Sequence, residues 1–129
     1  MWGLYDIWIF FVKGEVKLID FNISNAVGDR TSVTVQAECG TIEYMSPDML
    51  LKDEKTEGRV NNKLDVWSLG IILYYMTYGY FPLKHLGSFV QKMYAICDPS
   101  KKEFSFPPIE NANIIDAINV SIIINEWFI

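Results

Sequence analysis

Three aspartates sit where a carboxylate could do chemistry. Asp20 closes the run Lys17-Leu18-Ile19 and is followed by an aromatic and a turn former, Phe21-Asn22; Asp48 follows Ser46-Pro47; Asp65 opens Val66-Trp67-Ser68-Leu69-Gly70. A carboxylate at the mouth of a strand is by itself a weak signal, since such an aspartate is more often an ordinary turn residue. The hydroxyls of Thr31, Ser32 and Thr34 lie in the polar stretch between the first two aspartates. The bland reading of those hydroxyls is that water solvates them. His85 is the only histidine, and the two cysteines, Cys39 and Cys97, form no C-x-x-C or His/Cys cluster, so neither a zinc site nor a disulfide framework is indicated. Reduced thiols in an intracellular protein are the plain reading.

These residues need elements to hold them. Residues 9–12 and 15–19 are short runs rich in Val, Ile and Phe around Lys13-Gly14, the pattern of a hairpin closed on a glycine turn. From Asp20 to Gly40 the chain turns polar and aperiodic and reads as a long loop, a kind that in compact domains is functional or disordered. Tyr44–Leu50 starts a short helix in which Ser46 is a cap, Pro47 suits the first position and Asp48 favours the positive end. Lys52–Arg59 is a charged, solvated loop. Val66–Gly79 has almost no polar face, and a helix hydrophobic all round yet too short for a membrane runs buried through a domain. Phe81-Pro82 breaks the chain, Ser88–Cys97 forms another helix, Asp98-Pro99 ends it, Pro107-Pro108 marks an extended connection, and a last helix begins at Asn113–Ile118.

The chain has 129 residues, half of them apolar, enough for one domain with a core. Its net charge of −5 excludes a protein built around a basic stripe for phosphate backbones, so nucleic acid is not an expected partner. Met1–Val12 is apolar but lacks the basic start and small-residue cleavage site of a signal peptide, and Asp6 interrupts it. It is also shorter than the ~20 residues a bilayer span requires, as is Val120–Ile124, so no membrane anchor is expected at either end.

Taken in order, Asp20-Phe21-Asn22, then Gly40-Thr41-Ile42-Glu43-Tyr44-Met45-Ser46-Pro47-Asp48, then Asp65-Val66-Trp67-Ser68-Leu69-Gly70 are what the large lobe of a protein kinase looks like. In that pattern the first is the D-F-G motif that opens the activation segment, the second is the P+1 loop ending in A-P-E, and the third is the buried helix that anchors the lobe. Ile72–Gly79, Ala95–Pro99 and Phe104–Pro107 extend the likeness, so that residues 12–118 resemble the monopolar-spindle family of dual-specificity kinases. The resemblance implies an α+β, mainly α fold: a partial C-terminal lobe with a β-hairpin, an activation segment, a buried central helix and further helices. Residues 1–11 and 119–129 are apolar segments left unplaced by it.

The resemblance also implies roles. Asp20 would hold magnesium against the phosphates of ATP, and Phe21 would set its orientation. Asn22 replaces the family's glycine with one of the few residues that tolerate the left-handed region. Thr31, Ser32 and Thr34 would be activating phosphorylation sites, with Gly40 and Thr41 opening the P+1 loop. Asp48 stands for the family's glutamate, whose arginine partner lies after the buried helix; the two arginines here, Arg30 and Arg59, both precede it. Asp65 would accept hydrogen bonds from the catalytic-loop backbone, with Trp67 beside it as a structural anchor.

Other parts of the pattern are not in the sequence. Counting back from Asp20, the base of H-R-D-x-x-x-x-N falls at Gly3 and its asparagine at Trp8. No two glycines stand two residues apart, so there is no G-x-G phosphate loop, and there is no V-A-I-K lysine strand. The expectation is a truncated piece of a serine/threonine or dual-specificity kinase, inactive and prone to self-association by itself, whose longer product takes ATP, Mg²⁺ and a protein substrate. By family resemblance alone its setting is intracellular, at the nucleus and kinetochore. The alternative is a non-catalytic kinase-like interaction module.

Overall fold

In the computed structural model the chain is described over residues 8–19, 33–34, 41–51, 59–60, 63–98 and 104–122. Its first elements are the strands β1 (Trp8–Val12) and β2 (Glu15–Ile19), paired antiparallel with Val12 opposite Glu15. Type I′, one of the two commonest two-residue hairpin turns, takes positive φ at both positions. Gly14 supplies it at 83°, and Lys13 adopts 52°, a region uncommon for a side-chain-bearing residue.

Two departures from the sequence expectation follow. Val33–Thr34 (β3) pairs antiparallel with Arg59–Val60 (β4), so a two-residue ladder joins the polar loop to the end of the charged one. Two residues are too few to show a period of two, which is why the strand pattern could not reveal it. The second departure concerns the long helix α2 (Lys63–Tyr78). Leu64, Trp67, Gly70, Ile71 and Tyr74 are buried, whereas Val66, Leu69, Tyr75 and Met76 are exposed. A sequence without a polar face does not say which flank finds a partner; here one flank does.

That flank packs against α4 (Ala112–Ile122), in which Ile114, Ile118 and Ile122 recur every fourth residue and so share one face. Ile118 and Ile122 are buried, which stabilises the fold by about 1.5–3 kcal/mol per side chain. The helix runs four residues beyond position 118, so Ser121 and Ile122 of the unplaced apolar tail belong to the core packing. Closeness at the crossing is possible because position 70 is glycine: an added Cβ would stand 2.5 Å from Ser121 Cβ and 2.9 Å from Ile122 Cγ1.

Aromatic side chains tie the extended segment after residue 103 to α2. Phe104 meets Trp67 edge-on at 6.1 Å, Tyr74 donates to Ser105 O at 2.7 Å, and Tyr78 donates to Pro107 O at 2.9 Å. Tyr74, with no exposed surface, is the centre of the core; burial, with Tyr80 and Tyr78 beside it, pushes its phenol above the ordinary range. The core as a whole joins α2, α4, Leu83 and the inner face of α3 (Phe89–Cys97), from which Ala95 and Ile96 point inward. Ser88, the first residue of the expected helix, is its N-cap, and with Gln91 it makes a capping box.

Candidate acceptor-facing site

The described part of the motif region is a turn and a short helix held between two longer ones. Ile42–Tyr44 forms a 3-10 turn, closed by Tyr44 N–H to Thr41 O at 3.0 Å and by Met45 N–H to Ile42 O at 3.2 Å. The chain then enters α1 (Pro47–Leu50) with Pro47 at its first position. Ser46 occupies the cap position, but its hydroxyl makes no cap bond, contrary to the expectation for it. Ser46 is 1 % exposed, and among the described residues its Oγ has no hydrogen-bond partner.

Two helices hold this segment. From α2, the Ser68 hydroxyl lies 3.0 Å from Tyr44 O and 3.2 Å from Leu64 O, so its one proton links the turn to the helix or stays on the helix's own carbonyl. From α3, Lys92 donates to the Glu43 carboxylate in an ion pair whose side chains are 20 % and 21 % exposed. Burial raises the Glu43 carboxyl, but the Lys92 hydrogen bond, a bond from Glu43's own backbone and the Lys92 charge outweigh it and leave the carboxyl below the usual value of 4.5. The Tyr44 ring meets Phe81 edge-on at 5.4 Å. Behind the pair lies a narrow cleft lined by Trp67, Ile71, Phe81, Leu83 and Phe104, with space for no more than about one water.

Of the residues marked by sequence, Thr41, Asp48, Asp65 and Trp67 lie among the described residues, in or next to the turn, α1 and α2. Thr41 is exposed and precedes the turn; Asp65 is half-buried in the first turn of α2; Trp67 is buried in the core. Asp48 is exposed in α1; partial desolvation raises its carboxyl, and the charge of Lys63, at the head of α2, works in the opposite direction. Thr34 belongs to β3. Asp20, Phe21, Asn22, Thr31, Ser32 and Gly40 lie outside the described residues. Sequence reasoning passed over Glu43, Ser68, Gly70 and Lys92; the first three stand inside the quoted motifs, whereas Lys92 carries no local signal.

Among the described residues, no three His, Cys, Asp or Glu side chains are grouped so as to hold a metal ion, and no helix is long and apolar enough to cross a membrane. Cys97 is a half-buried free thiol that burial pushes upward, toward the protonated form. Cys39 lies outside the described residues.

Comparison with known proteins gives consistent matches. The profile of the protein kinase domain matches residues 7–120. The dual specificity protein kinase Ttk of Danio rerio is 40 % identical over 119 residues, covering 88 % of this chain and 12 % of that protein. The dual specificity protein kinase TTK of Mus musculus is 38 % identical over 121 residues, 88 % of this chain and 14 % of its own length. The serine/threonine-protein kinase MPS1 of Encephalitozoon cuniculi is 38 % identical over 96 residues, 74 % of this chain and 16 % of its own. The chain thus spans about an eighth of the first of these relatives.

Proposed function

Because the chain belongs to the protein kinase family, in a stretch that resembles the monopolar-spindle dual-specificity kinases, we propose that it is the acceptor-facing part of a large lobe whose phosphotransfer activity resides in a longer product. The observation that carries this reading is the anchoring of Thr41–Leu50. Ser68 on α2, Phe81 after it and Lys92 on α3 converge on one three-residue turn, and a turn anchored from several sides supports reading this segment as the P+1 surface that meets a protein acceptor.

Phosphoryl transfer depends on positioning both reactants and on offsetting the charge that spreads over the transferred group. No lysine strand, glycine loop or catalytic-loop aspartate and asparagine occur in the sequence. Asp20 remains the residue proposed to hold magnesium in the longer product, next to Phe21 and Asn22. Alone, the 129 residues are inactive and bind Mg·ATP no better than millimolar, about −4 kcal/mol. The corresponding proposals for the longer product are protein hydroxyls as substrate and an intracellular setting at the nucleus and kinetochore.

The test is a chimera in which residues 12–118 replace the matching stretch of the zebrafish relative, which keeps its own catalytic-loop aspartate and asparagine. Labelling of a protein acceptor from ATP, abolished by Asp20→Ala, is the expected result. A chimera that folds and binds nucleotide but leaves every acceptor unlabelled would sink the reading.

One observation favours a second reading, a non-catalytic interaction module: α2 and α3 expose Val66, Leu69, Met76, Phe89, Val90 and Tyr94, apolar surface that a partner could cover. Sequencing the full transcript separates the two. An upstream frame that encodes the missing motifs supports the kinase, and a stop before Met1 supports the module.

A further inference from the structure

The 3-10 turn Ile42–Tyr44 is weakly held by its own backbone. It has no side-chain cap, and two backbone bonds close it. Tyr44 ties it to α2 and Phe81, and Ile42 packs against the core beside Trp67 and Ile71. Its attachment to α3 goes through Glu43 and Lys92, which are 49 positions apart in sequence. The base of that attachment is firm, because α3 starts with a reciprocal capping box and buries Ala95 and Ile96.

The pair is also unlike a solvated surface pair, whose partners separate at little cost. Each side chain is about four-fifths covered, at the mouth of a cleft walled by Trp67, Ile71, Phe81 and Phe104. Removing one partner there would strand a partly desolvated charge. We propose that Lys92 is a positioning residue for the acceptor-facing segment: it clamps Glu43, fixes where the turn sits on α3, and keeps the Glu43 charge from serving as an anchor for a basic acceptor residue. This rests on the reading of Gly40–Asp48 as a P+1 segment, but the clamp itself is testable without any phosphotransfer.

The experiment is amide hydrogen exchange on the full 129-residue chain. Lys92→Met keeps the apolar stem and removes the charge, so the Tyr44 and Met45 amides should exchange about tenfold faster or more, while the Ile71 amide in α2 stays as protected as before. Lys92→Arg should keep the turn protected, and the reversed pair Glu43→Lys/Lys92→Glu should restore it. Unchanged exchange at Tyr44 and Met45 in Lys92→Met overturns the proposal. So does equal acceleration at Ile71, or loss of the fold in either single variant, since each makes the pair a part of global stability and not a local clamp. An inactive chimera with an intact exchange pattern would refute the kinase reading and leave the clamp standing.

Discussion

At the scale of single residues, burial and pairing set what each side chain contributes. Ser46 is buried with no partner among the described residues, and an unsatisfied buried hydroxyl carries its desolvation cost without a compensating bond. Ser46→Ala should therefore raise stability by about 1 kcal/mol, read as a higher urea midpoint with an unchanged slope. The Glu43 carboxyl lies lower in the folded chain than its ordinary 4.5. Stability from such a group is fully present above the unfolded value and is lost as pH falls through the folded one. In Lys92→Met only the burial of Glu43 and its backbone bond remain, so the faster exchange of Tyr44 and Met45 in that variant should be most marked at neutral pH and should narrow as the pH drops below about 4.5. The ratio of variant to parent exchange rates at these amides, followed from neutral to acid pH, measures this, and a ratio that stays constant with pH would contradict the assignment.

At the scale of elements, the crossing of α2 and α4 determines the fold described here. Gly70 lets the helices approach until an added Cβ would touch Ser121 Cβ at 2.5 Å, and a backbone-borne carbon cannot rotate away. Gly70→Ala should cost about 1–3 kcal/mol through overpacking. Ser121→Gly in the same chain should recover part of that loss; full additivity of the two substitutions would show that the contact is not the cause. The next residue of α4, Ile122, is 4 % exposed, so Ile122→Ala should cost about 2–5 kcal/mol. Calorimetry would decide, and a cost below about 0.5 kcal/mol, the level of an ordinary surface substitution, would return this end of α4 to the unplaced tail.

At the scale of the whole molecule, the balance between covered and uncovered apolar surface governs behaviour in solution. Val66, Leu69 and Met76 lie exposed on α2, and Phe89, Val90 and Tyr94 on α3. Ile7-Trp8-Ile9-Phe10-Phe11-Val12 adds a window of high β-propensity with no charge and no proline, the composition that favours aggregation. A net charge of −5 opposes association weakly. The isolated chain should therefore self-associate in light scattering or size-exclusion chromatography. A sharp monomer peak with a cooperative thermal transition would contradict this. Labelled ATP and magnesium should leave a generic acceptor unlabelled, and turnover abolished by Asp20→Ala would overturn the expectation of inactivity.

The family was legible because its motifs are local: Gly40–Asp48 and Asp65–Gly70 mark short segments whose order and spacing are written along the chain. The hairpin was legible too, since two β-rich runs around Lys13-Gly14 leave little else for the backbone to do. Contacts between distant segments left no such mark. Nothing local distinguishes Lys92 from a solvated lysine; its role depends on Glu43 lying opposite it once α3 packs beside the turn. The buried flank of α2 was equally hidden, because a helix apolar on every side has no moment to point inward, and the small side of Gly70 with the isoleucines of α4 chose it. Sequence by itself determined the hairpin, the main helices and the family, though not the two-residue β3–β4 ladder, since propensity, turn chemistry and motif spacing act over a few residues. Tertiary structure alone decided which charges pair and which apolar face is covered, because those energies exist only when segments far apart in the chain share one desolvated space.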